Sequence, residues 1–235
     1  MKRRGFLGAG VLGALLAVSG CSAEDETPDY RYRLTVGVDT PEGVKTGSSV
    51  IEVETAVASE RSIPNPGAVS HRVRGEAVAV DLPDGRTLFA LLRSGNDIDW
   101  ASRVMFLRAA DGLDFEKRFE AMLRNRNELE LPRMWPPVGH LEERPAYPML
   151  VTFGDLDDPT SVEEVDPDDL AATFGEGVSL KRITVQMTDD LVTTGIEERL
   201  GWLGKIREMN LSLEDFPEGF PVGDFSGLFR KDTIR

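Results

Sequence analysis

From position 30 to 39 apolar and polar residues alternate without a break: Tyr30, Tyr32, Leu34, Val36 and Val38 against Arg31, Arg33, Thr35, Gly37 and Asp39. Period two is the side-chain repeat of a half-buried strand, and a slip of one residue would turn every apolar group to the wrong face. The chain is therefore committed to a sheet of defined register, and the residues that follow supply a partner. A turn cluster, Pro41-Glu42-Gly43 through Thr46-Gly47, leads into 49–57, where Ile51, Val53 and Val57 alternate with Glu52, Glu54 and Ala56. These two segments read as a hairpin. Past a loop containing Pro64-Asn65-Pro66-Gly67, a second pair, 73–82 and 86–92, is joined by Pro83-Asp84-Gly85. The Asp-Gly step supplies the positive φ that a tight hairpin needs.

The repeat then changes to that of a helix. Asn96 or Asp97 can cap a helix through Trp100, Ala101, Val104 and Leu107, ended by Asp111-Gly112. A second helix starts near Asp114 and carries Phe115, Phe119, Met122 and Leu123 on one stripe, which predicts that it packs on the sheet. Glu120 and Arg124 are spaced to pair on its exposed side. Pro132 stops it, and five prolines between 132 and 148 mark an irregular stretch. Beyond it, 149–153 reads as a buried strand and 180–187 as an alternating one. Between these, Asp166, Pro167 and Gly175 delimit a short helix, and 196–209 reads as another. Six candidate strands, mostly joined as hairpins, and three or four helices predict an α+β domain built on a mostly antiparallel sheet. About 205 residues after the N-terminal region suffice for one core, so 30–235 is expected to be a single domain.

The N-terminal region follows different rules. Lys2, Arg3 and Arg4 precede an apolar body from Phe6 to Val18 and then small residues, the layout of a secretory signal. That body falls short of the roughly 20 apolar residues of a membrane span. Val18-Ser19-Gly20-Cys21 resembles the bacterial lipobox, an aliphatic residue, two small residues and a cysteine. The resemblance implies a signal peptide over 1–20 and lipidation at Cys21, with the membrane as a partner through the acyl chains. Arg3-Arg4-Gly5-Phe6-Leu7 also resembles the twin-arginine export consensus, with Lys2 and Gly8 departing from it, so the export route stays open. Ser22 after the cysteine resembles outer-membrane cargo. Residues 22–29 are polar and acidic, and eight of them reach at most about 28 Å. They read, with Cys21, as a short tether over 21–29 that holds the domain close to a membrane facing the periplasm.

Charge narrows the partners. The chain carries 27 Lys and Arg against 41 Asp and Glu, a net charge of −14. Removal of 1–20 takes three bases and no acid, which leaves 24 against 41, or −17. Such a surface repels nucleic-acid phosphates and anionic headgroups, so no nucleic-acid partner is expected. Cys21 is the only cysteine, so its lipidation would leave no thiol for disulfides, zinc thiolates or nucleophilic catalysis.

Motifs for chemistry are few. There is no Gly-x-Ser-x-Gly elbow, no phosphate-cradling loop and no His-Glu-x-x-His, and no cofactor is implied. His71 reads as a surface residue, and His140 lies among prolines with Glu142 and Glu143 nearby. The acidic run from Asp155 to Asp169 has a composition calcium favours, but Pro159 and Thr160 break EF-hand spacing and several of its acids suit helix caps. A glycosidase pair depends on a carboxylate separation of about 5–9.5 Å, which a sequence does not give.

Two segments offer partner contacts. Arg133 and Trp135 sit in the rigid Arg-Met-Trp-Pro-Pro stretch, and both residue types are common interface anchors. The tail over 210–235 interleaves Phe216, Phe220, Phe225 and Phe229 with glycines and prolines, a composition that is neither helix nor strand and that suits either wrapping over a core or docking. Residues 30–36 and 46–53 look like those of uncharacterised proteobacterial proteins, many of them lipoprotein-like. That resemblance implies no activity. The leading expectation is an envelope lipoprotein acting as a non-catalytic binding or scaffolding module for another envelope protein. A carboxylate-based hydrolase and a small-ligand or metal-binding lipoprotein stay open as alternatives.

Overall fold

The computed structural model describes residues 28–57, 68–95, 97–109, 115–137 and 142–231. In chain order the elements are β1 (Tyr30–Thr40), β2 (Gly43–Val57), β3 (Val69–Glu76), β4 (Val78–Asp81), β5 (Thr87–Ala90), α1 (Trp100–Ala109) and α2 (Phe115–Arg124). There follow β6 (Leu129–Glu130), β7 (Met134–Trp135), β8 (Arg144–Pro145), β9 (Leu150–Phe153), β10 (Val162–Val165), α3 (Leu170–Phe174), β11 (Ser179–Met187), α4 (Phe225–Phe229) and β12 (Arg230–Lys231). The architecture is α+β. A six-stranded sheet has the order β12-β3-β2-β1-β11-β6, a four-stranded sheet the order β10-β9-β5-β4, and β7 pairs with β8. All the described pairings are antiparallel.

The alternation that begins at Tyr30 becomes the centre of the main sheet. β1 and β2 pair in unbroken register from Tyr30 opposite Val53 to Thr40 opposite Gly43. Tyr32, Leu34, Val36 and Val38 are fully buried in the main core, which also holds Val78 and Val80 of β4, Trp100, Val104 and Met105 of α1 and Phe119 and Met122 of α2. The tyrosines keep a polar end in that apolar setting. Tyr30 donates to the Ser102 carbonyl at 3.1 Å and Tyr32 to the Ala101 carbonyl at 2.7 Å, so each buried hydroxyl is satisfied. Burial pushes both phenols well above the ordinary tyrosine range.

The second sheet is buried on both faces. Leu88 and Ala90 of β5, with Leu150 of β9, turn toward the main sheet. Phe89, Val151 and Phe153 turn the other way, into a second apolar cluster formed with the C-terminal region. This accounts for the continuous apolar composition of these strands. The sheets meet closely at Gly47, where a Cβ would lie 2.1 Å from the Ala79 carbonyl oxygen. Only glycine lets β2 and β4 approach to this distance.

Several local expectations are corrected. The stretch 73–82 is two strands, because β3 leaves β2 after Arg74 and the chain turns at Gly75, φ +147°, into the second sheet. Thr193 takes the vacated place beside β2, donating its backbone N–H to the Val50 carbonyl at 3.1 Å while its hydroxyl accepts the Val50 N–H at 2.8 Å. The cap of α3 is Asp169, whose carboxylate accepts the Ala172 N–H, while Asp166 accepts the Asp168 N–H in the preceding turn. Gly175 closes α3 with φ +98°. Within 132–148 the irregular chain still pairs briefly as β7 and β8. The expected helix over 196–209 is replaced by two 3-10 turns, Ile196–Glu198 and Ile206–Glu208. Gly201 and Gly204 interrupt that stretch and weaken a helix, and adjacent Trp202 and Leu203 are both buried.

Candidate functional site

The lipidation expected at Cys21 and the option at His140 lie outside the described residues. His71 stands exposed on β3, its Nδ1 3.2 Å from the Thr55 hydroxyl. Partial burial, then the nearby Arg103, lowers its pKa.

Several acids of 154–169 are occupied locally. Asp155 accepts the Asp157 N–H, Asp158 the Thr160 N–H and hydroxyl, and Asp169 caps α3. Among the described residues no group of three or more His, Cys, Asp or Glu is arranged to hold a metal ion.

The segment containing Arg133 and Trp135 is pinned to the body of the protein. Trp135 is 8% exposed and belongs to the main core, so its indole offers a partner little surface. Arg133 reaches both oxygens of Asp168 at 3.0 Å through Nε, and its guanidinium lies 5.5 Å from the Tyr147 ring centre. The arginine tethers this loop to the turn before α3.

The four tail phenylalanines separate by depth. Phe229 is fully buried, Phe225 and Phe220 nearly so, and Phe216 is half-buried. Phe229 sits 5.6–6.0 Å from Phe89, Phe153 and Trp202, and Phe225 stacks on Trp202 at 5.3 Å. Centroid separations of this size are those of favourable ring pairs. The backbone around them is tied as well. The Phe229 carbonyl accepts the Ala77 N–H at 2.7 Å, the Leu228 carbonyl accepts the Leu92 N–H at 2.9 Å, and β12 adds an edge strand to β3. Phe220, Phe225 and Phe229 are thus anchors of a third layer over the four-stranded sheet.

Phe216 has one ring contact inward, 4.8 Å to Phe225, and its other side borders open surface. Two adjoining concavities, of about 380 and 450 Å³, share Leu213, Phe216 and Val222 as walls. Ile206, Met209 and Leu211 extend the apolar lining. Leu213 is 73% exposed, raised on a 3-10 turn whose start is fixed by the Asp215 carboxylate accepting the Ser212 N–H at 2.7 Å. The sequence over 205–226 holds five acids, Glu208, Glu214, Asp215, Glu218 and Asp224, against two bases, Lys205 and Arg207. Of these charged residues Glu214, Glu218 and Asp224 line the concavities with Arg207, so the apolar side chains sit within a lining of net negative charge.

Reading 196–209 as a helix hid Ile206 and Met209, since the groove follows from the chain not being helical there. Ser212 and Asp215, at the spacing of a capping pair, were the available signal for the turn that lifts Leu213.

No helix among the described residues is long and apolar enough to cross a membrane. No protein-family model matches this sequence, and no curated protein or solved structure matches it.

Proposed function

We propose that this protein is a lipid-anchored envelope component that works as a binding module, receiving an apolar, basic segment of another envelope protein in the groove around Leu213 and Phe216. The observation that carries the reading is the pairing of that exposed leucine and half-buried phenylalanine with three lining acids, Glu214, Glu218 and Asp224, against one base, Arg207. A large apolar side chain left in water on a small raised turn stabilises nothing in the free protein, and covering it is worth about 25 cal/mol per Å² removed from water. The acidic lining steers a basic partner and disfavours acidic ones. The lipobox-like Val18-Ser19-Gly20-Cys21 supports the anchor, and the tether of 21–29 would keep the groove near the membrane surface.

The test is site-specific photocrosslinking in intact cells. A probe at position 213 should capture a defined protein that a probe at Val44 does not. Val44 is also half-exposed but lies at the β1–β2 turn. Capture should fall when Phe216 is changed to Asp. Identical products from both positions, or none from either, would overturn the groove. The anchor is tested separately by fatty-acid labelling, which Cys21→Ser should abolish.

A further inference from the structure

A further cavity, of about 280 Å³, lies between Arg93 and Ile98 on one side and the tail on the other, walled by Arg93, Ile98, Pro221, Asp224, Leu228 and Lys231. Its cations are short of partners. Arg93 has five N–H donors and spends two, Nε on the Ser94 carbonyl at 3.0 Å and Nη2 on the Gly95 carbonyl at 2.9 Å. Lys231 has three donors and makes one long bond, 3.3 Å to the Ile98 carbonyl. Among the described residues neither has a carboxylate within ion-pair distance. Arg31, Arg33, Arg74, Arg103 and Arg199 each reach an acid, whereas Arg108 and Arg118, like Arg93, bond backbone carbonyls.

What distinguishes Arg93 and Lys231 is that both line one cavity with donors left open. Partial burial of a cation is costly unless an anion compensates it, and burial lowers the Lys231 pKa. The acids nearest the lysine are otherwise engaged or set back. Asp97 and Asp99 pair with Arg103, and Asp224 stands on the cavity wall without reaching Nζ. Of the charged side chains on the cavity wall, Arg93 and Lys231 are positive and Asp224 negative, with Asp97 and Asp99 and their shared partner Arg103 close to the lysine.

We propose that this cavity binds a small monocarboxylate with a short apolar body. The carboxylate would bridge Arg93 and Lys231, using the donors they leave open, since guanidinium and ammonium bonds to a carboxylate are charge-assisted. Ile98, Pro221 and Leu228 provide apolar walls for the remainder. The volume lies just below the span of about 300–1,000 Å³ typical of ligand pockets, which sets an upper size. Asp224 disfavours a doubly charged phosphate more than a singly charged carboxylate. The site is independent of the Leu213 groove, and neither proposal requires the other.

Titration of the full chain with isovalerate, followed through the methyl resonances of Ile98 and Leu228, tests it. Isovaleramide, the uncharged counterpart, and inorganic phosphate serve as comparisons. Isovalerate should shift both methyls saturably, and isovaleramide should leave them in place. Lys231→Gln and Arg93→Gln should each weaken binding about tenfold, the loss of one good charged contact. Arg93 also holds the Ser94–Gly95 backbone, so if its variant does not fold, Lys231→Gln alone decides. The proposal is overturned by equal response to acid and amide, by tighter binding of phosphate, by undiminished binding to Lys231→Gln, or by no saturable shift.

Discussion

The β1–β2 hairpin and the C-terminal aromatic layer both bury their apolar side chains, but they are ordered in different ways. In the hairpin, eleven residue pairs share one register, and each strand's hydrogen bonds fix where its side chains point. Residues 196–231 have three 3-10 turns, a five-residue helix and a two-residue strand, so little of their position comes from regular backbone pairing. Rings hold that layer, with Phe225 and Phe229 at its centre and the second sheet as its floor. A backbone ladder specifies geometry residue by residue. A ring cluster specifies only what must be inside, and it leaves neighbouring segments, such as 206–216, to lie open.

Six substitutions break or sharpen this contrast. Phe229→Ala should cost about 3–5 kcal/mol in urea unfolding, because the ring is fully buried against three aromatic neighbours. Leu213→Ala, in the same region but exposed, should stay within about 0.5 kcal/mol. A small effect at Phe229 would mean that the ring cluster is not what orders the layer.

Gly47→Ala should destabilise by about 1–3 kcal/mol, since the added methyl meets backbone rather than a mobile side chain. Tyr32→Phe should cost about 1 kcal/mol through the bond to Ala101. It should also flatten the alkaline limb of the stability curve. The folded phenol titrates above its unfolded value, so its contribution is complete below about pH 10 and is lost as pH rises toward the folded pKa.

Gly201→Ala should stabilise by about 0.4–1 kcal/mol, because a Cβ there meets open space and the unfolded chain loses freedom. The smallest change is expected at Asp81, which is largely exposed. The hydrogen bond from Arg199 holds its pKa below the usual carboxylate range, with Thr87 adding a second bond. Its contribution is present above about pH 3.9 and is lost as pH falls through the lowered value. Asp81→Asn should therefore lower the melting temperature slightly at pH values above about 3.9 and leave it unchanged at more acid pH.

The legible parts of the fold are those whose partner is also regular. The alternation of Tyr30 to Val38, the hairpin turns and the stripe on α2 each point to a repeating surface, and the structure places them there. The division of 73–82 into β3 and β4 was not legible, because alternation continues across Gly75 while the hydrogen-bonding partner changes. The candidate surface was half legible. Phe216, Phe220, Phe225 and Phe229 drew attention as a group, yet depth separates one from the other three. Ile206, Met209 and Leu213 were missed because their grouping depends on where non-local rings pull the chain.

By itself the sequence determined the class of fold, the register-bearing hairpin, the negative charge and the restriction of thiol chemistry to one residue. These follow from local periodicity and composition, which act over a few neighbouring residues. Only the tertiary structure decided that the second sheet is covered on both faces, that Trp135 and three tail phenylalanines are anchors, and that Arg93 and Lys231 share a cavity. Those outcomes depend on contacts between residues more than a hundred positions apart, whose energies no local pattern records.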